Sequence, residues 1–276
     1  TPRPSAAEGQ AEATAAPTAT PEPTLTPLPT STPAPQAMCG GPDTQTILVT
    51  GVDSGNYIYG LSDAVRVVRV DFVHGKVTVL PLPRDLWVDI PVTIPGVTEG
   101  ITEGKLNQAY FYGSPGMGYY PDEDQSPGLL AKTLELNFNL PVDNYFSVNT
   151  RIFRRMVSQI GGITVPLPGN VYGHYYDEPV LYLKAGTHHL TGKQAEMVAR
   201  HRTLIGDFGR VKNQTILFKA FIRSLVTPEG LKSIPDLVEI YREHVLMDLT
   251  PNEISKMLCL IAKKDREEES VFTELR

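Results

Sequence analysis

Between Ala195 and Gln214 the chain reads AEMVARHRTLIGDFGRVKNQ, and three arginines there, Arg200, Arg202 and Arg210, stand without matched acidic partners in the stretch. Arg200 and Arg202 close one expected helix, while Asp207, Arg210 and Gln214 open the next. The i, i+3, i+7 spacing of that second set puts a carboxylate, a guanidinium and an amide on one helical face. Such a row, beside two further guanidiniums, suits an anion that accepts paired hydrogen bonds, and phosphate or pyrophosphate is the usual one. A single arginine at a helix end more often only neutralises the C-terminal dipole in solvent. The cluster asks for more, because Gly206 and Gly209 flank Asp207 and let the backbone come close to a ligand.

Composition bounds what such a site serves. The net charge of the 276 residues is −6, so no global basic field draws the chain to nucleic acid and any anion site is local. Nine of the 24 prolines fall in residues 1–36, interleaved with Thr and Ala and without apolar periodicity. That segment cannot bury enough surface to offset its ordering entropy, so residues 1–40 are expected as an extended stalk, of which residues 1–36 would reach about 110 Å if fully stretched at ~3.1 Å per residue. Thr/Pro/Ala-rich stalks belong outside the cell and hold a domain away from a membrane or wall. The chain begins at Thr1, and a signal peptide or single membrane anchor upstream is expected. Residues 41–276 suffice for one core and one domain, with 227–276 as C-terminal helices. Two cysteines, Cys39 and Cys259, make no zinc site; a bridge between them would tie the end of the stalk to the last helix.

Strand signals appear at Thr46–Val52, Ala64–Phe72, Lys76–Leu82, Leu86–Ile90, Asn144–Val148, Ile163–Leu167 and Val180–Leu183. Helical periodicity marks Lys105–Tyr112, Gly128–Phe138, Thr150–Ile160 closed by Gly161-Gly162, the helix opened by the Thr191/Gln194 capping box, and Phe208–Val226. In the last of these Val211, Thr215, Phe218 and Ile222 form a candidate inner stripe. Two further helices are expected near Glu229–His244 and Pro251–Lys264. Strands and helices alternate, so the class is α/β, a mixed central sheet covered by helices.

With these elements in order, the chain resembles the LytR-CpsA-Psr family of bacterial cell-envelope proteins. ILVTGVDS (47–54) resembles its first strand and Asp-bearing turn, and Ser62-Asp63 stands at its R-S-D-T motif. Leu82-Pro83-Arg84-Asp85 is similar to I-P-R-D, Lys105 to Tyr110 to K-I-N-x-A-Y, and Gly161 to Val165 to G-G-V-x-V. Leu183–Gly186, Leu190–Gly192 and Gly206-Asp207-Phe208-Gly209-Arg210 with Gln214 complete the set over residues 44–226. The resemblance implies a phosphotransferase that moves a glycopolymer from a polyprenyl-pyrophosphate carrier to peptidoglycan or another wall acceptor, with the lipid in an apolar tunnel between sheet and helices. It implies Asp53 and Asp63 as Mg²⁺ ligands, and Arg84, Lys105, Arg200, Arg202, Arg210 and Gln214 around the pyrophosphate. Asp85 or Asp207 would be the base, with Arg84 and Arg210 stabilising the transition state. Carboxylate oxygens suit Mg²⁺, and guanidiniums aimed at developing charge act where the barrier is.

Two family arginines are replaced, by Gly55 after Asp53 and by Leu61 before Ser62, and Asn213 stands where a further one is frequent. Each lost guanidinium removes charge-assisted hydrogen bonds worth roughly 1.5–3 kcal/mol, so losing both would slow transfer by about two to four orders of magnitude. Arg66 and Arg69 lie nearby, but their opposite parity lets at most one help. A pyrophosphate-binding protein without turnover and a polyprenyl-pyrophosphate hydrolase are the competing readings. Other leads fail on context. Asp53 alone is an ordinary turn residue, Arg154-Arg155 a solvated helix face, and His188-His189 point apart and lack a third ligand. Asp207-Phe208-Gly209 has no kinase partners, and Gly113–Gly118 is not a phosphate loop. Tyr110, Phe111, Tyr112, Tyr119 and Tyr120 fit packing as well as a ligand entrance.

Overall fold

The unbroken apolar run Ile47–Val49 and the flanking threonines call for a strand covered on both faces, and such a strand sits inside a six-stranded sheet. The computed structural model describes residues 36–55, 57–92, 103–175, 178–237, 244–266 and 272–274. The expected stalk lies outside these up to residue 35. The strands are Thr44–Val52 (β1), Ser62–Asp71 (β2), Lys76–Leu82 (β3), Trp87–Asp89 (β4), Glu103–Lys105 (β5), Asn144–Asn149 (β6), Ile163–Leu167 (β7), Val171–Tyr175 (β8), Glu178–Leu183 (β9), Gly186–Leu190 (β10), Leu246–Met247 (β11) and Phe272–Glu274 (β12). The helices are Leu106–Tyr112 (α1), Gln125–Phe138 (α2), Thr150–Gln159 (α3), Gly192–Arg200 (α4), Gly206–Leu225 (α5), Pro228–Lys232 (α6) and Pro251–Arg266 (α7).

The large sheet runs β11-β6-β1-β2-β3-β12. Its centre is an antiparallel meander of β1, β2 and β3, and β6 joins β1 in parallel, so the sheet is mixed as expected. Strand parity then decides which helices go where. Leu48, Val52, Val65, Val67 and Leu82 share one face and pack on Leu106, Ala109, Tyr110, Leu129, Leu130 and Leu134 of α1 and α2. Ile47, Val68, Val70, Val77 and Val79 share the other and meet Leu260 and Ile261 of α7, with Phe218 and Ile222 of α5 at the margin. A third cluster joins α3, α4 and α5 to β7 and β10.

Several element ends follow from local chemistry. Asn149 caps α3 by accepting from Ile152 N at 2.9 Å, and Gly161 and Gly162, at φ +80° and +104°, close it in a conformation that costs other residues energy. The capping box of Thr191 and Gln194 is formed at the start of α4. Strands β8 and β10 were not expected, since their histidines, tyrosines and glycines carry no clean apolar alternation. Of the helix expected over Glu229–His244, α6 and a further turn at residues 234–237 are seen, and residues 238–243 lie outside those described. Among the described residues no helix is long and apolar enough to cross a membrane.

Cys39 and Cys259 form a disulfide, with Cα atoms 6.1 Å apart and 220 residues between them in sequence. The bridge fastens the Met38–Gly40 turn, whose Met38 N donates to Phe72 O at 2.9 Å, onto α7. Closing so long a loop removes much of the freedom of the unfolded chain. The double variant Cys39→Ser/Cys259→Ser should therefore lose about 2–5 kcal/mol of unfolding free energy, measured by urea denaturation without reductant; an unchanged midpoint would contradict this.

Candidate active site

The arginines of the 195–214 stretch share carboxylates from two sources: Glu196 and Asp207 within it, and Asp63 from a distant strand. Asp63 stands at the start of β2, where β1 and β2 shift register between Gly51 and Val52. It hydrogen-bonds Arg84 Nη1, and its Oδ2 lies 3.8 Å from Arg202 Nη2 and 3.6 Å from Arg210 Nη1. Asp207, in the first turn of α5, lies 3.0 Å from Arg210 Nη2, 3.5 Å from Arg202 Nε and 3.9 Å from Arg84 Nη2. Asp85 is held by Lys105 Nζ at 3.0 Å and Arg84 Nε at 3.4 Å. Four cations and three carboxylates thus interlock, brought by the β2 entry, the turn after β3, the end of β5, the α4–α5 loop and the head of α5.

The turn that carries Arg84 is pinned by the first N–H groups of α1. Leu106 N donates to Leu86 O at 2.8 Å and Asn107 N to Arg84 O at 3.0 Å, which satisfies helix-end donors while fixing the arginine's backbone. Burial pulls the Arg84 guanidinium down, but its hydrogen bond to Asp63 and the charges of Asp63, Asp85 and Asp207 outweigh that and leave it above its ordinary value. The Lys105 hydrogen bond, aided by Arg84, holds the Asp85 carboxyl below the usual range against a smaller effect of burial. Arg210 goes the other way: burial, then Arg84 and Arg202, lower it against the pull of Asp63 and Asp207.

Arg210 is also the least satisfied group of the cluster. Its side chain is 2% exposed, and neither Nε nor Nη2 has a hydrogen-bond partner among the described residues. The 3.0 Å separation of Nη2 from Asp207 is close enough for charge attraction but is not aligned as a hydrogen bond. A buried donor left in that state is costly unless something else accepts from it.

Arg210 faces a cavity of about 680 Å³ that opens at the cluster and continues between the sheet and α3, α5 and α7. Asp53, Asp63, Arg66, Arg200, Arg202, Arg210 and Gln214 line its polar end. Val68, Val70, Val77, Phe146, Val148, Leu217, Phe218, Phe221, Ile222, Leu249 and Ile261 line the rest. From Asp63 to Val70 the lining follows β2 for about 23 Å at ~3.3 Å per residue.

The other expected site residues are arranged less uniformly. Arg200 is exposed and pairs with Glu196 one turn back, at 3.6 Å, so it reaches the cavity edge but not the Asp63 cluster. Gln214 spends its amide on the protein: Nε2 donates to Ala199 O at 3.1 Å and Oε1 accepts from Arg66 Nη2 at 3.3 Å. Asp53 closes its own loop, with Oδ1 accepting from Leu61 N at 2.8 Å and its N–H donating to Leu61 O at 3.1 Å. Gly209 serves packing, since a Cβ there would sit 2.5 Å from Ile205 Cβ. The aromatic group from Tyr110 to Tyr120 stays with the α1–α2 core and does not line the cavity. His188 and His189 donate to or accept from nearby backbone and side-chain groups at the surface.

Among the described residues no group of three or more His, Cys, Asp or Glu side chains is placed to hold a metal by itself. Asp53 and Asp63 both line the polar end of the cavity. Two carboxylates beside a phosphate fit Mg²⁺, which keeps waters and shares its shell with phosphate oxygens.

A profile described as the LytR_cpsA_psr family matches residues 15–272. The chain belongs to the LytR_cpsA_psr family. It is 29% identical over 201 residues to the "Regulatory protein MsrR" of Staphylococcus aureus strain COL, which covers 72% of this chain and 55% of that protein. It is 28% identical over 221 residues to the "Polyisoprenyl-teichoic acid--peptidoglycan teichoic acid transferase TagU" of Oceanobacillus iheyensis, covering 78% and 62%. The chain therefore spans a little over half the length of the curated relatives it matches. The crystal structure of Bacillus subtilis TagV superposes with a TM-score of 0.64 at 24% identity over 85% of each chain, a likeness of fold.

Within this LytR_cpsA_psr fold Gly55 and Asn213, where the family resemblance implies arginines, have distinct surroundings. Gly55 lines the cavity, whereas Asn213 is buried and does not. Arg66, not Arg69, is the β2 arginine on the cavity face: it is buried and donates to Val211 O at 3.3 Å, while Arg69 is exposed on the opposite face. Sequence reasoning passed over two nearby residues. Arg151 lines the cavity from α3, and His201, just before Arg202, is buried with Nε2 accepting from Tyr172 N at 3.1 Å.

Two consequences are measurable. Asp63→Asn leaves Arg84, Arg202 and Arg210 without their shared counter-charge, and because the site is partly open to water the expected loss is about 1–3 kcal/mol in urea denaturation. Burial holds the His201 imidazole below its ordinary value of 6.5. The unfolded chain then binds that proton more readily, so stability is complete above about pH 6.5 and declines as pH falls towards the folded value. Thermal unfolding between pH 7.5 and 5 should display the decline, and His201→Gln should flatten it.

Proposed function

We propose that this domain is a phosphotransferase that takes a glycopolymer from a polyprenyl-pyrophosphate carrier and joins it to peptidoglycan or another cell-wall acceptor. The observation that carries the reading is Arg210: a buried guanidinium with two unsatisfied N–H groups, set at the point where a charged cluster gives way to an apolar cavity. A pyrophosphate attached to a long hydrocarbon is the kind of molecule that satisfies both halves. Arg84, Lys105, Arg202 and Arg210 would grip the pyrophosphate, Arg200 would guard the rim, and Gln214 would act by holding Arg66 and the end of α4 in place. The isoprenoid chain would lie along the cavity. Family membership, and a relative whose name specifies teichoic acid transfer to peptidoglycan, support the same chemistry.

In the reaction an acceptor hydroxyl oxygen attacks the phosphorus nearer the sugar. A new P–O bond forms to the acceptor, the bridging P–O bond breaks, and polyprenyl phosphate leaves with the bond's electron pair. The hydroxyl proton passes to Asp85 or Asp207. Arg84 and Arg210 act on the charge that grows on the bridging and leaving oxygens, where stabilisation lowers the barrier and not merely the ground state. Asp53 and Asp63 are the residues that would hold Mg²⁺, which would neutralise phosphate charge. The setting that suits such a reaction is the outer face of the bacterial cytoplasmic membrane, with the domain presented on the stalk of residues 1–40 by an anchor upstream.

A second reading has its own support. Gly55 and Leu61 stand where the family resemblance implies arginines, which favours a protein that binds the lipid pyrophosphate without turning it over. One incubation separates the readings: a glycan-bearing polyprenyl pyrophosphate, Mg²⁺ and wall fragments are mixed with the domain. A wall adduct is expected. Retained, unconverted lipid would instead identify a binding protein, and release to water a hydrolase. Arg210→Ala should weaken pyrophosphate binding about tenfold or more. Asp63→Ala should erase dependence on Mg²⁺, and persistence of that dependence would move the metal elsewhere.

A further inference from the structure

Arg151 lies in the first turn of α3, where the helix dipole opposes a positive charge. Nothing local offsets that. Among the described residues no carboxylate pairs with it, whereas Arg154, three residues on, is paired with Glu196 at 3.3 Å. The side chain extends to the cavity rim beside Asp53, Ser54 and Gly55. Its Nη2 is 3.9 Å from the position a Cβ would take on Gly55, the nearest contact there among the described residues apart from the chain neighbours of Gly55. An exposed guanidinium beside Gly55, at the mouth of a cavity already lined by Arg202 and Arg210, is placed to meet an anion arriving there.

We infer that Arg151 is an anion-contacting residue of this site, donating to a phosphate oxygen of the bound pyrophosphate from α3 over the space that Gly55 leaves open. The inference rests on the pyrophosphate reading above and assigns it a residue from a different element. Gly55 has a definite part in it. A Cβ at 55 would stand in van der Waals contact with the Arg151 head, so a long cationic side chain grown from residue 55 would approach the same part of the rim.

The test uses the whole chain and two probes, inorganic pyrophosphate and farnesyl pyrophosphate, with affinity measured by titration calorimetry for wild type, Arg151→Ala, Arg210→Ala and the double variant Gly55→Arg/Arg151→Ala. Arg151→Ala should weaken both probes about tenfold, the loss expected for one charge-assisted hydrogen bond, and the double variant should recover most of that loss. Arg151 is solvent-exposed, so circular dichroism should show these variants folded. Loss in Arg210→Ala with none in Arg151→Ala would overturn the Arg151 assignment and leave the site standing. A loss in Arg151→Ala that Gly55→Arg does not recover would overturn the shared-volume argument and with it the inference. Unchanged affinity in every variant would remove the pyrophosphate reading itself.

Discussion

Guanidiniums do not gather unless something opposes their repulsion, and here the opposing charge comes from Asp63 and Asp207, of which Asp63 is the one brought from a distant strand. One carboxylate faces Arg84 with one oxygen and Arg202 and Arg210 with the other. Its position depends on the register shift where β2 begins, and the arginines depend on a turn after β3 and on the junction of two helices. These elements are far apart in sequence. The site is therefore a product of sheet register and helix docking, and a slip in either would place like charges together with no carboxylate between them.

Polarity in this fold changes along its elements as well as across them. On β2 the cavity face begins near Asp63 and Arg66 and continues with Val68 and Val70; on α5 it begins with Arg210 and continues with Leu217, Phe221 and Leu225. Charged residues thus collect at one end and apolar ones at the other, on two elements that lie side by side. A molecule with an ionic head and a hydrocarbon body has the matching distribution. Arg66 and Arg151 add further guanidinium groups at the charged end of the cavity.

Much of this was legible in the chain because the signals were local. The strand Lys76–Leu82 begins after the His74-Gly75 turn, and Thr191 with Gln194 marks the start of α4. The parity argument for Arg66 and Arg69 also held, because period two is a property of the strand itself. What was hidden depended on distant partners. For the run of arginines the hidden partner was Asp63, which another strand supplies beside the local Glu196 and Asp207. Gln214 lines the cavity, and its amide bridges Arg66 and Ala199, neither of them its neighbour in sequence. Arg151 gave no signal, being one arginine of a polar helix face. Gly209 suggested ligand approach where the tight neighbour is Ile205.

The bridge from Cys39 to Cys259 has a mechanical meaning. Any tension that reaches Met38 from the preceding chain meets a covalent junction before it reaches Thr44, where β1 begins. Part of the load is passed to α7, so less of it reaches the central strand, which is paired on both sides by β6 and β2. A domain tethered at that end would keep its charged pocket in shape under pull, because the force is diverted ahead of the strand that leads to Asp53.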